Sequence, residues 1–327
     1  MRKILVTGGA GYIGSHACKA LKIAGNIPIT FDNLSTGWSD AVKYGPLVVG
    51  DLTDRTALDR VFSEHKPDAV MHFGALSDVG QSTREPGLYW KNNAIGSLNL
   101  IEAMVAAGCR NMVFSSTCAT YGEQDNVLLT EDAAQKPINA YGGSKLAIEQ
   151  MLADFGASDG LNSVIFRYFN VAGADPDGEI GEYHRPETHL IPLALMAALG
   201  QRDKLTVFGT DYDTPDGTCI RDYVHVSDLI DAHLAGLDWL DGGNPSRAFN
   251  LGTGTGFSVR EVIDVAQNVT GLNVPHSLGE RRAGDCTSLV SASNRAKSEL
   301  GWTPHRSTLE TMISDAWRWH QTKGYGS

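Results

Sequence analysis

The stretch KILVTGGAGYIGSHACKAL, residues 3–21, decides the fold of this chain. Its opening apolar run is typical of a strand, and its second half has the composition of a helix. Three glycines separate the two at three-residue intervals. Glycine in such a turn lets backbone N–H groups approach a phosphate at the N-terminus of a helix. The spacing therefore predicts a dinucleotide pyrophosphate site formed by Gly8, Gly11, Tyr12, Ile13 and Gly14.

Outward from this turn, short apolar runs alternate with helical stretches through the first half of the chain. This alternation is typical of a parallel sheet with helices on both faces. Seven runs are predicted as strands: KILVTGG (3–9), IPITFDN (27–33), PLVVGD (46–51), DAVMHFGA (68–75), NMVFSST (111–117), NSVIFRYFN (162–170) and AFNLGTG (248–254). The sequence thus predicts an α/β fold, a Rossmann-type doubly wound parallel sheet with a smaller mixed α/β substrate domain.

The composition limits the classes of protein to which this chain can belong. The chain has 327 residues, enough for two joined domains, and a formal net charge of −11. This charge repels nucleic acid and anionic lipid, so we expect no nucleic-acid and no membrane partner. Glycine interrupts the N-terminal apolar run too early for a signal peptide, and no run approaches the roughly 18 residues of a membrane span. The five cysteines lack CxxC spacing, which predicts reduced thiols in a cytoplasmic protein.

The end of the second predicted strand carries Asp32, 18 residues after Gly14. A carboxylate at this position bonds the ribose hydroxyls of an adenosine. The next residues, Asn33 to Ser35, include no arginine for a 2′-phosphate, which favours NAD over NADP. Asp51 follows the third strand, where it could meet the adenine amino group, and a plain strand-end turn is an open alternative.

The domain organisation follows from the same pattern. Residues 1–170 are predicted to form an NAD-binding Rossmann domain, and residues 171–327 are predicted to form mainly a substrate-binding domain. Because AFNLGTG again has sheet character, a segment near 220–255 is predicted to return to the first domain.

The segment YGGSK begins a predicted helix and carries Tyr141 and Lys145 one turn apart. A free tyrosine has a pKa near 10 and is a poor base at neutral pH. A lysine ammonium and a positive nicotinamide ring both favour the phenolate. Lowering the pKa from about 10 to about 7 requires roughly 4 kcal/mol, which two cations in a dry site can supply. We therefore predict that Tyr141 is a general base whose pKa Lys145 lowers.

A further hydroxyl is expected at the carboxyl end of the fifth predicted strand, where Ser115, Ser116 and Thr117 compete. Alternation along a strand puts Ser115 and Thr117 on one side, and Thr117 lies nearer the mouth of the site. We therefore predict that Thr117 binds the substrate oxygen that Tyr141 deprotonates.

Over nearly its whole length the chain resembles the extended short-chain dehydrogenase/reductase superfamily and, within it, the UDP-glucose 4-epimerases. The matching stretches are TGGAGYIGSH (7–16), FDNLSTG (31–37), HFGALSDVGQS (72–82), SSTCATYG (115–122), YGGSK (141–145), RYFNVAGADPDG (167–178), VFGTDYDTPDGTCIRDYVHVSDL (207–229), FNLGTGTG (249–256) and ERRAGD (280–285). The resemblance implies a homodimer that interconverts UDP-glucose and UDP-galactose with bound NAD.

The resemblance also implies roles for individual residues. Further contacts on the cofactor side are implied for Leu52, Phe73, Asn93, Lys145 and Tyr168. Substrate contacts are implied for Thr117, Tyr141, Asn170, Val207, Phe208, Arg221, Arg282, Asp285 and Leu289. The roles implied for Arg221 and Arg282 are physically reasonable, since a diphosphate in a net-acidic protein needs guanidinium partners.

The residues after Thr117 select the reaction. Dehydratase relatives place an Asp-Glu pair there and decarboxylase relatives a glutamate, whereas this chain has Cys118 and Ala119. The absence of both acids favours epimerisation. Two alternatives stay open: a pentose 4-epimerase acting on UDP-xylose and UDP-arabinose, and a non-catalytic NAD-binding regulator. The chain departs from typical relatives in having Thr117 for serine, Ser77 for lysine, and Thr188 and His189 for paired asparagines of the substrate loop.

No metal site is predicted. His184, Glu187 and His189 are close enough in sequence to suggest one, but their loop offers no helix to set the ligand spacing, and the expected chemistry needs no metal. The acids of DYDTPDG, residues 211–217, do not stand at the alternate positions of a calcium loop.

Overall fold

The computed structural model describes residues 1–124, 128–282, 286–322 and 324–326. Its strands are β1 Lys3–Thr7, β2 Ile27–Asp32, β3 Leu47–Val49, β4 Ala69–His72, β5 Asn111–Thr117, β6 Leu128–Leu129, β7 Asn162–Tyr168, β8 Asn170–Ala172, β9 Leu205–Phe208, β10 Ile220–His225, β11 Arg247–Leu251, β12 Gly256–Ser258, β13 His276–Gly279 and β14 Ser288–Ser291. Its α-helices are α1 Tyr12–Ile23, α2 Arg55–His65, α3 Val79–Arg84, α4 Pro86–Tyr89, α5 Gly96–Ala107, α6 Ala140–Asp159, α7 Leu190–Ala198, α8 Val226–Asp241, α9 Val259–Thr270, α10 Asn294–Leu300 and α11 Leu309–His320. A π-helical turn, Trp90–Ile95, joins α4 to α5, and 3₁₀ turns lie at Ser39–Ala41 and Cys118–Thr120.

Seven strands form one parallel sheet in the order β3-β2-β1-β4-β5-β7-β11. Each predicted strand supplies one of them, so the predicted doubly wound parallel sheet is confirmed. The chain runs outward from β1 to β3 and then crosses to β4 on the other side of β1. In such sheets the ligand crevice lies outside the carboxyl ends of the strands, at this change of direction.

The side chains of β1 alternate between the two faces of the sheet, because successive residues of a strand point in opposite directions. Ile4 and Val6 pack in one buried cluster with residues of α1 and α8. Leu5 packs in another with residues of α2, α5 and α6. Helices therefore cover both faces, and the carboxyl edge of the sheet is left for the site.

A second group of elements follows β7. β10 pairs in parallel with β8 and β14 and antiparallel with β12, and β14 pairs with β6. Helices α7, α9 and α11 pack around a third core that includes Leu195, Val262 and Met312. The late strand β11 nevertheless pairs with β7, so it lies in the large sheet.

Side-chain caps fix the start of several helices. Ser258 and Glu261 form a capping box at α9, and Asp54 caps α2. Asn139 caps α6 by accepting the backbone N–H of Gly142, which fixes the first turn of that helix. Among the described residues, no helix combines the length and the apolar composition needed to cross a bilayer.

Candidate active site

The glycine turn between β1 and α1 brings backbone segments into close contact. Gly8 has a left-handed φ of 72°, and a Cβ there would lie 2.7 Å from the backbone nitrogen of Gly74. A Cβ on Gly14 would lie 2.1 Å from the carbonyl oxygen of Gly8. Both positions therefore require glycine, as close packing of a helix on a strand predicts.

The N-terminus of α1 lies at this turn. The helix begins at Tyr12, after Gly11, with no capping side chain and no acid in its first turn. The Tyr12 hydroxyl donates to the carbonyl oxygen of Gly173 at 2.7 Å, so it links the turn to the second group of elements. Backbone N–H groups at a helix N-terminus bind anions, so the first turn, with Tyr12 and Ile13, fits the pyrophosphate of a dinucleotide.

The residues predicted for the adenosine come together at the ends of β2 and β3. Asp32 accepts the backbone N–H of Ala10 at 3.0 Å and that of Leu34 at 2.8 Å. A carboxylate has about four lone-pair sites, so it can still accept ribose hydroxyls. Asn33 donates to the Asp51 carboxylate at 2.8 Å. The contact between Asn33 and Asp51 suits both an adenine contact and the alternative strand-end turn.

Asn93 connects the segment after β4 with the start of α6. It is fully buried, accepts the backbone N–H of Leu76 at 2.9 Å, and donates to the Leu76 carbonyl at 3.0 Å and to Ser144 Oγ at 3.2 Å. Phe73 directly follows β4. Leu52 is 9% exposed and packs in the core with residues of α5. These bonds hold the Asn93 side chain between the segment after β4 and α6, and its contact with the cofactor stays a prediction.

The turn that Asn139 caps carries Tyr141, and Lys145 follows one turn later. Lys145 is 3% exposed, and its Nζ donates to the carbonyl oxygen of Ser115 at 2.8 Å. The same nitrogen lies 4.9 Å from the ring centroid of Phe114. Lys145 is therefore tied to β5 and does not extend into solvent.

The three hydroxyls of β5 have different partners. Ser115 Oγ lies 3.0 Å from Nε2 of a histidine in α8, and Ser116 donates to a buried glutamate of α6. Thr117 Oγ1 accepts a backbone N–H in the next turn and lies close enough to the Tyr141 phenol to lower its pKa. The structure thus brings Thr117, rather than either serine, to Tyr141.

Burial shifts the pKa values of the two central groups in opposite directions. It raises the pKa of Tyr141 above its usual value, with Tyr168 adding to the rise and the Thr117 hydrogen bond opposing it. It lowers the pKa of Lys145 to about 7. The predicted lowering of the phenol pKa by Lys145 is therefore not found in the protein alone, because loss of water disfavours both the phenolate and the ammonium.

Tyr168, at the end of β7, belongs to the same buried environment. Burial raises the pKa of Tyr168 to about 12, and a hydrogen bond with Ser115 opposes the rise. Its charge would also raise the pKa of Tyr141, which places the two phenols within electrostatic reach of each other.

Strands β8, β10 and β14 carry several predicted substrate residues. Arg221 Nη1 donates to the carbonyl oxygen of Cys286 at 2.9 Å, and Arg221 is paired in register with Leu289. Asn170 Nδ2 donates to the Asp222 carbonyl at 3.0 Å. Leu289 is partly buried against the apolar cluster of Tyr121, Leu129 and Phe169. These residues are therefore brought together by β-pairing.

The end of β9 carries the remaining predicted contacts. Phe208 is 38% exposed, and the guanidinium carbon of Arg282 lies 4.9 Å from its ring centroid. Val207 is 1% exposed and packs in the third core, so it can reach a ligand only through its backbone. Asp285 lies outside the described residues.

Two partners behind the site were not predicted. His233 is the histidine of α8 that contacts Ser115, and Glu149 is the glutamate of α6 that accepts from Ser116. Glu149 also forms a buried ion pair with Arg167 at 2.6 Å. A polar residue within a helical pattern gives no indication of its partner on another element, so sequence spacing could not find these contacts.

The protein has a doubly wound parallel sheet and an uncapped helix N-terminus at a glycine turn, as in Rossmann folds. Neighbouring ends of β5 and α6 carry Thr117, Tyr141 and Lys145. Together these features define a Rossmann-fold protein of the short-chain dehydrogenase/reductase class. Residues 4–252 match the NAD dependent epimerase/dehydratase family. The chain belongs to this family.

Relatives and solved structures agree with this membership. The chain is 52% identical over 325 residues to UDP-glucose 4-epimerase of Rhizobium meliloti (strain 1021), which covers 99% of this chain and 98% of that protein. The crystal structure of UDP-glucose 4-epimerase from Brucella ovis in complex with NAD is 46% identical and gives a TM-score of 0.95, over 97% of this chain and 98% of that one. The Bifidobacterium longum UDP-glucose 4-epimerase in complex with NAD+ and UDP is 34% identical, with a TM-score of 0.92 over 98% of each chain.

Proposed function

We propose that this chain is an enzyme that interconverts UDP-glucose and UDP-galactose with bound NAD. It oxidises C4 of the sugar, lets the 4-ketose turn, and returns the hydride to the other face. A relative that is 52% identical is named UDP-glucose 4-epimerase, and two similar crystal structures of such enzymes contain NAD. One observation carries the proposal: the Thr117 hydroxyl lies beside the Tyr141 phenol, and the Cys118–Thr120 turn that follows contains no acid.

The catalytic roles follow from these contacts. Tyr141 removes the proton of the 4-hydroxyl and later returns it to the keto oxygen, so one group acts as base and acid. Thr117 binds the same oxygen through its hydroxyl. Lys145, fixed by the Ser115 carbonyl, lies one helical turn from Tyr141 and is assigned to the nicotinamide ribose.

NAD, when bound, supplies the acceptor for the C4 hydride and a positive charge near the phenol. The glycine turn and the uncapped N-terminus of α1 suit its pyrophosphate, and Asp32 suits its adenosine ribose. We assign the cofactor to Gly8, Gly11, Tyr12, Ile13, Gly14, Asp32, Asn33, Asp51, Leu52, Phe73, Asn93, Tyr141, Lys145 and Tyr168.

The substrate diphosphate is assigned to Arg221 and Arg282, since guanidinium groups bind phosphate oxygens in pairs. The exposed ring of Phe208, beside Arg282, supports a place for the uracil. The remaining substrate contacts are assigned to Asn170, Val207, Asp285 and Leu289. Val207 contributes through its backbone, because its side chain is in the core.

We assign residues 1–170 to the NAD-binding domain, with a segment near 220–255 returning to it, and residues 171–327 mainly to the UDP-sugar-binding domain. The pairing of β11 with β7 supports the returning segment.

The proposed enzyme is a cytoplasmic homodimer. Five cysteines without CxxC spacing suit a reducing compartment. Leu88, Trp90 and Ile138 are large exposed apolar side chains, and Trp90 and Ile138 line one shallow depression with residues of α6. A second copy that covers this surface would bury it. Sedimentation as a monomer at micromolar concentration would exclude the dimer.

The test of function is incubation of the purified protein, without oxygen, with UDP-galactose and no added NAD. We expect UDP-glucose to form, and added NAD to increase the rate only where the protein has lost cofactor. Failure to form UDP-glucose even with added NAD would contradict the proposal. A parallel assay with UDP-xylose distinguishes the hexose enzyme from a pentose 4-epimerase by the ratio of kcat/KM values.

A further inference from the structure

The loop between β8 and α7 brings two carboxylates and two imidazoles together. Glu182, His184, Glu187 and His189 each offer one ligand atom, and these four atoms lie within 4.8 Å of one another. His189 Nδ1 lies 2.6 Å from Glu182 Oε1 and 3.3 Å from Glu187 Oε1. His184 Nδ1 lies 3.2 Å from Glu182 Oε1 and 3.5 Å from Glu187 Oε2. Nitrogen and oxygen atoms thus converge on one small volume.

The contacts of Glu182 are short but do not have hydrogen-bond geometry. Glu182 is 4% exposed, yet its Oε1 has no hydrogen-bond partner among the described residues, and neither has His184 Nδ1. Native proteins rarely leave a buried carboxylate oxygen without a partner. In a metal site, by contrast, ligand lone pairs point at the ion and not at each other, which brings nitrogen and oxygen close without a hydrogen bond.

A neighbouring acidic cluster is neutralised in another way. Asp175, Asp177 and Glu179 surround Lys19 Nζ at 2.8, 2.8 and 2.9 Å. The ammonium occupies the position that a cation would take. In the described part of the chain, neither lysine nor arginine forms an ion pair with Glu182 or the other carboxylate of its cluster. In the protein alone, the partners of the two carboxylates are the cluster's own imidazoles, and a bound cation would replace the protons of those rings.

We propose that Glu182, His184, Glu187 and His189 bind one divalent transition-metal ion of the zinc class. Ligand atoms about 2.0–2.1 Å from zinc at tetrahedral corners lie roughly 3.3 Å apart. The four nitrogen–oxygen separations, which use both oxygens of Glu187, run from 2.6 to 3.5 Å, and one ligand atom of each residue lies within 4.8 Å of the others. Two imidazoles and two carboxylates are a ligand set that zinc accepts. Because the protein fills all four positions, the ion has a structural role.

Two backbone contacts order the ligands. Glu187 Oε1 accepts the N–H groups of Thr188 and His189 at 2.8 and 2.9 Å. His189 stands at the N-cap position of α7 without making a capping hydrogen bond, so its ring serves the cluster. The sequence prediction of no metal relied on the lack of a helix in this loop, and these backbone bonds provide the order that a helix would. The ion would tie the loop to the start of α7.

The test is zinc bound by untagged protein after treatment with EDTA, incubation with ZnCl₂ and gel filtration. We expect about one ion per chain, and at least about tenfold weaker zinc binding in His189→Gln and in Glu182→Gln. Glu179→Gln, in the cluster around Lys19, is the matched control and should bind zinc as the wild type does. His189 is half-exposed, so its variant should keep the fold, which circular dichroism checks.

Cobalt in place of zinc separates this site from the cysteines, because thiolate ligands add a charge-transfer band that nitrogen and oxygen ligands lack. Zinc should also raise the unfolding temperature of the wild type and of Glu179→Gln, but not of His189→Gln. Less than about a tenth of an ion per wild-type chain would overturn the proposal. Equal zinc affinity in His189→Gln and the wild type would also overturn it.

Discussion

Lys145 and Tyr141 show how burial acts on neighbouring groups of opposite charge type. Loss of water disfavours the charged form of each, so the pKa of the phenol rises and that of the ammonium falls to about 7. The Ser115 carbonyl holds the lysine at this depth. Bound NAD would add a positive charge near the phenol, which favours the phenolate.

Replacing Tyr141 by phenylalanine should remove the base and leave the fold intact. We expect turnover to fall at least about a thousandfold, since a positioned base contributes 10²–10⁴. Bound NAD and the circular dichroism spectrum should stay as in the wild type. Tyr44→Phe is the matched control, because the Tyr44 hydroxyl bonds the surface residue Glu179. Near-normal turnover in Tyr141→Phe would show that the base is misassigned.

Replacing Thr117 by valine should move the pH dependence of turnover. The Thr117 hydrogen bond lowers the pKa of Tyr141, so its loss raises that pKa. The limb of the profile that requires a deprotonated phenol should therefore shift to higher pH, with turnover at pH 7 down about 10- to 100-fold. Thr117→Ser keeps the hydroxyl and should retain the wild-type profile. An unshifted profile in Thr117→Val would refute the contact.

The resemblance to UDP-glucose 4-epimerases implies that Leu289, four positions after Asp285, lines the sugar pocket near C2, so we expect it to limit that pocket. A leucine is larger than a serine and leaves less room for an N-acetyl group, and overpacking of this kind costs about 1–3 kcal/mol. UDP-galactose should therefore be strongly preferred over UDP-N-acetylgalactosamine. Leu289→Ser should raise kcat/KM for the N-acetyl sugar and change that for the plain hexose by only a few fold.

The packing of Leu289 with Tyr121, Leu129 and Phe169 allows another outcome. If the leucine serves only that apolar cluster, Leu289→Ser will lower the unfolding temperature and leave the ratio of the two kcat/KM values unchanged. Equal wild-type values for the two sugars would also exclude a limiting role.

Some features of individual site residues could be predicted from the sequence. Strand alternation left Ser115 and Thr117, the position nearer the mouth of the site favoured Thr117, and in the structure the hydroxyls of Ser115 and Ser116 have partners elsewhere. The burial of Lys145 could not be predicted, because it depends on how α6 packs against β5. The same holds for Glu182, whose neighbours come from turns of a loop that has no periodic pattern.

At the scale of elements, the junction of β1 and α1 depends on glycines with no room for a side chain. A Cβ on Gly14 would lie 2.1 Å from the Gly8 carbonyl oxygen, and a Cβ on Gly8 would clash with the backbone of Gly74. These are backbone contacts, so no side chain can move aside. The seven strands could be predicted because buried parallel strands are near-continuous apolar runs, and the glycine spacing could be read between the first strand and its helix.

Gly14→Ala should push α1 away from the glycine turn. We expect at least about a tenfold loss of NAD affinity, or roughly 1.4 kcal/mol, measured by calorimetry on protein stripped of cofactor. Gly87→Ala is the matched control, because its Cβ would meet nothing within 4 Å and α4 gains a better helix former. Equal affinity for NAD in Gly14→Ala and wild type would contradict the proposed pyrophosphate site.

At the scale of the whole molecule, the two halves of the candidate site differ in how far the sequence could predict them. The cofactor half lies on long strands and helices with clear periodicity. The substrate half lies mainly on β8, β9, β10 and β14, of which β8 has three residues and β9 and β14 have four each. Strands this short give no usable alternation, so their residues were predicted only through resemblance to a family.

The central claim is that the hydride removed from C4 returns to the same carbon within one binding event. The most direct measurement is conversion, in ordinary water, of UDP-galactose that carries deuterium at C4. We predict that the UDP-glucose formed keeps all of the deuterium at C4, with no NAD added. Loss of deuterium to water would show that C4 loses a proton and not a hydride, and this result would contradict the account.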